Sequence, residues 1–211
     1  MRYLFGIITN GKRPDKLQAL VDSIRAAGAG DYEIVIAGEI ANVPDGVKFI
    51  EMLDAARTGR LGAMRNALCE SSEAEIFIIL DDDMVLDAAF IKELEAFGDD
   101  WDVLCTRMLN PDGTRNWDWC TYGGQRGHYL MDYTETDPFV YVSGGRIVMK
   151  RWVFEKAKWD GQRGFYQSED IDFTQKLQRA GVRITMNPRM TMTHDDHRYT
   201  QNGKGVFRVS N

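Results

Sequence analysis

Short unbroken apolar runs alternate along this chain with longer stretches in which apolar residues recur every three or four positions. The run at residues 2–8 ends in Thr9-Asn10-Gly11, a turn composition. Pro14-Asp15 then opens a segment whose Leu17, Leu20, Val21 and Ile24 share one helical face until Gly28-Ala29-Gly30 stops it. A second run at 32–37 completes a strand–helix–strand unit. After a loop at 42–46, residues 47–50 predict a short third strand, and the glycine-punctuated stretch 58–68 predicts a helix ending near Ser71-Ser72. The run at 76–80, Ile-Phe-Ile-Ile-Leu, lacks alternation, as expected for a central strand covered on both faces. A helix at 87–97 and a strand at 102–106 follow. From 110 to 131 the pattern loosens into an aromatic loop broken by Pro111, Asp112-Gly113 and Gly123-Gly124. Strands at 139–142 and 147–149 flank Ser143-Gly144-Gly145-Arg146, residues 152–159 predict a short helix, and Ser168 heads a sharply defined helix closed by Gly181. Residues 182–186 return to the sheet, and the polar end from Thr193 onward predicts a mobile tail.

The chemistry on this α/β scaffold is acidic. The central strand ends in Asp81, Asp82 and Asp83, at the carboxyl end of a strand, where ligands collect in open α/β sheets. Three adjacent carboxylates repel one another, so their ionised form needs solvent or a cation, and hard oxygen donors suit Mg2+ or Mn2+. The bland alternative is a solvated acidic turn capping a helix. A second acidic group, Ser168-Glu169-Asp170, is either an N-cap with acidic first-turn residues or a catalytic pair. Arg65 and Asn66, with Arg60, either meet an anion at a helix start or line a helix surface. Gly144 and Gly145 suit a hairpin turn or a close ligand approach. Trp117, Trp119 and Tyr122 suit core packing or stacking on a sugar. His194 and His197 stand three apart, outside the H-E-x-x-H pattern.

Composition narrows the class. With 211 residues and 44% apolar content, one domain with a sizeable core is expected. The net charge of −6 argues against a general nucleic-acid binder, though not against an anionic nucleotide. Cys69, Cys105 and Cys120 are odd in number and lack metal-site spacing, which predicts free thiols in a reducing compartment. No run reaches the roughly 18–20 apolar residues that cross a bilayer, and residues 1–8 suit a strand better than a signal peptide. A cytoplasmic protein is therefore expected, with peripheral contact to a membrane left open.

Five features taken together resemble the GT-A glycosyltransferases, in the style of the family 2 and galactosyltransferase-like enzymes. They are the initial βαβ unit, Gly62-Ala63-Met64-Arg65-Asn66, the strand ending in Asp81-Asp82-Asp83, Gly144-Gly145, and Ser168-Glu169-Asp170 opening a helix. The resemblance spans roughly residues 3–195. It implies a single-domain GT-A (Rossmann-like) nucleotide-sugar-binding fold with a mixed, mainly parallel central sheet flanked by helices. Residues 1–107 would form the nucleotide-sugar half, 108–197 the acceptor and catalytic half, and 198–211 a tail or lid. It also implies a nucleotide-sugar donor, UDP favoured, a carbohydrate or other hydroxyl-bearing acceptor, and a Mn2+ or Mg2+ ion on the diphosphate.

By the same resemblance Asp83 and His194 bind the metal, Asp81 contacts the nucleoside, and Asp82 takes the variable middle position. Asp170 is the catalytic base and Glu169 orients the acceptor. Thr9 and Glu39 fall where base and ribose are held, while Arg65, Asn66, Gly144 and Gly145 complete the donor site. A base opposite the leaving group implies inversion. Two other readings compete. A sugar-phosphate nucleotidyltransferase would want a basic, glycine-rich loop after the first strand, of which Gly11-Lys12-Arg13 is a faint version. A non-catalytic nucleotide-sugar or carbohydrate-binding module would keep the fold without turnover.

Overall fold

The computed structural model describes residues 1–195; residues 196–211, with His197 and the expected tail or lid, lie outside the described residues. The chain runs β1 (Tyr3–Thr9), α1 (Pro14–Ala26), β2 (Tyr32–Gly38), β3 (Lys48–Glu51), α2 (Leu53–Thr58), α3 (Leu61–Glu70), β4 (Ile76–Asp81), β5 (Met84–Leu86) and α4 (Phe90–Ala96). It continues through β6 (Val103–Leu109), β7 (Cys120–Gly123), β8 (Gly127–Leu130), β9 (Val140–Tyr141), β10 (Arg146–Lys150), α5 (Arg151–Lys156), α6 (Glu169–Arg179) and β11 (Ile184–His194). Eight strands form one sheet in the order β3-β2-β1-β4-β10-β6-β11-β5, and β8-β7-β9 form a small second sheet. Neighbours among β3, β2, β1 and β4 are parallel, as are β6 and β11; β10 runs antiparallel to both β4 and β6, and β5 to β11. The sheet is thus mixed and mainly parallel. Strands from both halves of the chain share it.

Unbroken apolar runs arise because each central strand is covered on both faces. In β1, Tyr3, Phe5 and Ile7 face a core with Leu17, Leu20, Val21 and Ile24 of α1 and Phe90, Ile91 and Leu94 of α4. Leu4 and Ile8 face the other core, built with Met64 and Leu68 of α3, Val153 and Phe154 of α5, and Phe173 and Leu177 of α6. The same alternation divides Ile78 and Leu80 from Phe77 and Ile79 in β4.

Four elements differ from the periodicity. Residues 84–86 pair with β11, so the helix expected from 87 begins at Phe90. The last strand does not end at 186 but runs to His194, so Thr193 and His194 belong to the sheet rather than to a tail. A register shift between Asn187 and Thr191 accommodates Pro188, which has no N–H to give a ladder. Helix α2 is an additional element. The aromatic stretch contains β7 and β8, organised by the buried carboxylate of Asp118. That carboxylate accepts the N–H groups of Met108 (3.1 Å) and Trp119 (2.7 Å), the hydroxyl of Tyr133 (2.7 Å) and the Arg115 guanidinium (2.9 Å). Arg115 also lies 3.9 Å over the Tyr133 ring. Cys69, Cys105 and Cys120 are free and buried. Among the described residues no helix is long and apolar enough to cross a membrane.

Candidate active site

The three aspartates at the end of β4 diverge. Asp81 turns toward α3 and α6. Asp82 is buried beneath the β1–α1 turn, where it accepts the Thr9 hydroxyl at 2.5 Å and pairs with an Arg13 nitrogen at 2.5 Å. Asp83 pairs with the other arm of Arg13 and lies 3.3 Å from Nε2 of His194, at the end of β11. Its carbonyl accepts the Asp195 N–H at 2.7 Å, which brings the end of β11 to this corner. Burial pushes the Asp82 carboxyl up to about 6, although Thr9 and Arg13 pull the other way. Burial also raises Asp81, opposed by Arg65. Burial works against the charge of Arg13, but Asp82, Asp83 and Asp81 outweigh it and hold the guanidinium above its ordinary value.

Arg65 joins this corner to the second acidic group. Its side chain, 1% exposed, donates from Nη1 to Oε1 of Glu169 at 3.0 Å and from Nη2 to Oδ1 of Asp81 at 3.3 Å. The turn at Gly144-Gly145 closes over the same groups. A Cβ at position 144 would lie 2.7 Å from Nη1 of Arg65, and one at 145 would lie 2.6 Å from Oδ2 of Asp81. A side chain at either position would push the Arg65 guanidinium or the Asp81 carboxylate from its present place. The N–H of Asp81 donates to the Gly145 carbonyl at 2.9 Å.

Asp170 sits on the other side of the turn. Burial raises its carboxyl, as does Glu169, while Arg65 and the N–H groups of Ile171 and Gly144 oppose the rise. The α6 start is fixed from below, because Thr174 Oγ1 donates to the Asp170 carbonyl (2.8 Å) and accepts the Val142 N–H (3.0 Å). Ser168 does not cap the helix with its side chain; it takes a left-handed conformation, φ 53°. Burial raises the Tyr141 hydroxyl, with Cys120 and then Asp170 adding to the rise, and Tyr141 Oη accepts Trp117 Nε1–H at 2.8 Å.

The remaining predicted residues divide. Thr9 and Glu39 lie side by side at the carboxyl ends of β1 and β2, where the Glu39 N–H meets the Thr9 carbonyl at 3.2 Å. The Thr9 hydroxyl, however, is turned inward to Asp82, and Glu39 is held by Arg57 through two bonds of 3.0 and 2.7 Å. Asn66 departs from the expected anion contact. Its Nδ2 donates to the Trp159 carbonyl (3.0 Å) and its Oδ1 accepts the Trp159 N–H (3.1 Å), so both ends of the amide are taken up by backbone. Arg60 is turned away to Asp54. Trp119 is core, with Nε1 donating to the Glu135 carbonyl at 3.0 Å. Arg13 and Tyr141 are functional candidates that sequence reasoning missed. Arg13 is one of two adjacent cations before Pro14, and nothing in the sequence marks which of them folds inward.

Asp83 and His194 suit a divalent cation. Octahedral ligands about 2.1 Å from an ion and at right angles lie about 3.0 Å apart, and Asp83 Oδ2 and His194 Nε2 are 3.3 Å apart. Among the described residues no group of three or more His, Cys, Asp or Glu side chains forms a metal cage. The rest of such a shell would fall to phosphate oxygens and water, as Mg2+ and Mn2+ allow. Beside Glu169 lies an open cavity of about 470 Å3 lined by Asp160, Gln162, Arg163, Gln167 and Ser168. Its lip is fixed at both ends, and its middle rests on the turn after α2, where the Phe165 ring lies against Gly59. Trp159 is clamped by Asn66 and stacked on Phe173 at 3.9 Å, and α6 is tied to Arg65 through Glu169. The tip carries Phe165 and the fully exposed Tyr166.

No family model and no curated protein matches the sequence. Solved structures do match the fold. Over 92% of its length the chain superposes on S. aureus TarS 1–349 (TM-score 0.67, 16% identity), spanning 60% of that chain. It superposes equally on the same fragment in complex with UDP-GlcNAc (TM-score 0.66, 16% identity, 93% of this chain and 59% of that one). GalNAc-T7 with UDP, GalNAc and Mn2+ aligns over 93% of this chain and 44% of its own (TM-score 0.67, 16% identity). The chain thus spans less than two thirds of the length of these structures, and its fold is that of the GT-A glycosyltransferases.

Proposed function

We propose that this chain is a metal-assisted, inverting glycosyltransferase that moves a sugar from a nucleotide-diphosphate sugar, UDP-sugar favoured, to an acceptor hydroxyl. One observation carries the reading. Two acidic groups about ninety positions apart in sequence meet at one corner, with Arg65 bonded to both Asp81 and Glu169. The solved GT-A structures with UDP, UDP-GlcNAc and Mn2+ support the choice of donor and ion. Residues 1–107 supply the donor half and 108–197 the acceptor half. Three buried thiols suit a reducing, cytoplasmic setting.

Asp83 and His194 would hold the ion, Mn2+ somewhat favoured over Mg2+ by the imidazole. Bound there, it would neutralise the leaving diphosphate as a Lewis acid. Asp81, Thr9 and Glu39 line the carboxyl edge of β4, β1 and β2 for the nucleoside, with Asp82 and Arg65 supporting them from beneath. The backbone at Gly144 and Gly145 borders the reacting centre. Asp170 takes the acceptor proton from within about 2.6–3.2 Å as that oxygen bonds to the anomeric carbon and the bond to the diphosphate oxygen breaks. Glu169, held by Arg65, orients the acceptor. Attack from the face opposite the leaving group inverts the anomeric centre. The competing nucleotidyltransferase reading has only the Gly11-Lys12-Arg13 turn in its favour.

The test is a panel of nucleotide sugars with Mn2+, scored by nucleotide release and by NMR of the product. Inverted configuration is expected. A retained configuration would remove Asp170 from its role. Pyrophosphate release from a nucleoside triphosphate and a sugar phosphate would favour the nucleotidyltransferase instead.

A further inference from the structure

Arg13 precedes α1, yet its side chain does not reach outward. Its two terminal nitrogens divide between Asp82 and Asp83, and its side chain remains only 33% exposed. A guanidinium fork suits this task, because it offers two donors in a fixed plane to two carboxylates at once. The oxygen it takes on Asp83 is Oδ2, the same atom that faces His194 Nε2. One oxygen therefore serves both the internal cation and the position that suits a divalent ion. The next turn of α1 adds a second positive charge to this corner, with Lys16 Nζ 3.6 Å from Oδ2 of Asp195.

Resting on the reading of the site given above, we propose that Arg13 is an internal counter-cation that a divalent ion must displace from Asp83, so that metal alone binds weakly and binds well only when an incoming diphosphate offers the guanidinium a new anionic partner. Arg13 is then a positioning residue that ties metal loading to donor arrival. By linkage the nucleotide and the ion strengthen each other's binding by the same factor. Part of that factor comes from direct contact between ion and diphosphate, and part from the release of Arg13. Only the second part depends on residue 13.

Mn2+ binding, read as the loss of the free-ion EPR signal, tests this without any turnover. Wild type, Arg13→Gln and Arg13→Lys are titrated with Mn2+ alone and again with saturating UDP. Without nucleotide, Arg13→Gln is expected to bind Mn2+ at least about fivefold more tightly than wild type, the low end of ordinary coupling between sites. Arg13→Lys, which cannot grip both carboxylates in a fork, should fall between them. UDP should strengthen Mn2+ binding more in wild type than in Arg13→Gln. Equal or weaker Mn2+ binding by Arg13→Gln would overturn the proposal, because the guanidinium would then be orienting Asp83 rather than competing for it. Should Arg13→Gln fail to fold, Arg13→Lys decides by the same comparison with wild type. If wild type binds Mn2+ with UDP and neither variant binds Mn2+ alone more tightly, this inference falls and the functional reading stands. If wild type binds UDP but never Mn2+, the metal reading of the site falls with it.

Discussion

A guanidinium buried as fully as Arg65 loses its water, and only close carboxylates offset that cost; Arg65 has two, on Asp81 and Glu169. Replacing it with Met would leave both acids facing each other without a counter-charge. Arg65→Met is therefore expected to lose about 3–5 kcal/mol of stability, measured by urea unfolding at pH 7; a loss below about 1 kcal/mol would show that solvent reaches the pair. Asp170 gives the second prediction at this scale. Its carboxyl is raised by burial and by Glu169, so the folded protein holds that proton to higher pH than the unfolded chain does. The favourable contribution of the protonated form is complete below the ordinary carboxylate value and is lost as pH rises through the folded one. Asp170→Asn should accordingly melt above wild type at pH 7, with the gap closing on acidification. It should also lose about 10²–10⁴ in kcat while keeping donor affinity, and the acid limb of the wild-type rate profile should lie above the ordinary carboxylate range. The placing of the two acidic groups was legible, since three aspartates follow an apolar strand and Glu169-Asp170 follow a helix-start residue. Arg65 and Asn66 were not separable, because only the packing of α3 decides that the arginine faces inward to carboxylates and the amide faces the Trp159 backbone.

Among elements, β10 arranges the site. Running against β4, it begins where β4 ends, with Arg146 opposite Leu80, so the Gly144-Gly145 turn closes on Asp81 and passes a backbone N–H to Asp170. A sheet with only parallel neighbours would have put that turn at the far edge. The second device is the Asn66 clamp, which fixes one end of the 160–168 lip against α3. Asn66→Ala would leave the Trp159 N–H and carbonyl without those partners, at a cost of about 1–3 kcal/mol. Limited proteolysis should then cut within residues 160–168 faster than in wild type, and unchanged cleavage would show that Trp159 stacking, the Arg163–Asp172 pair and the seat of Phe165 on Gly59 hold the lip without the clamp. Strand and helix identities were readable because most elements are covered on one or two regular faces. The stretch at 110–131 was not, since its order comes from Asp118 gathering Arg115, Tyr133 and two backbone N–H groups, a pattern with no period. The length of β11 was hidden for a related reason, the register shift around Pro188.

For the molecule as a whole, the functional reading predicts that ligands of the right class stabilise the folded chain. At a hundred times its dissociation constant a ligand adds about 2.7 kcal/mol, which for a chain of this size raises the melting temperature by about 5–10 °C. A UDP-sugar with Mn2+ should give a shift of that order, and Asp83→Asn should reduce it. A panel in which no nucleotide sugar moves the transition would sink the proposed function while leaving the fold untouched. The overall α/β architecture could be anticipated because the apolar runs and helical stretches alternate in order; the insertion of β10 between β4 and β6 could not, since strand order is not written in local pattern. That insertion bears on biosynthesis. The central strand β4 leaves the ribosome long before the partner that covers its second edge, and until Arg146–Lys150 has been translated that edge offers open backbone groups to any neighbouring polypeptide. Fragments ending short of residue 150 should therefore collect in inclusion bodies, and slower, cooler expression should favour recovery of the full chain.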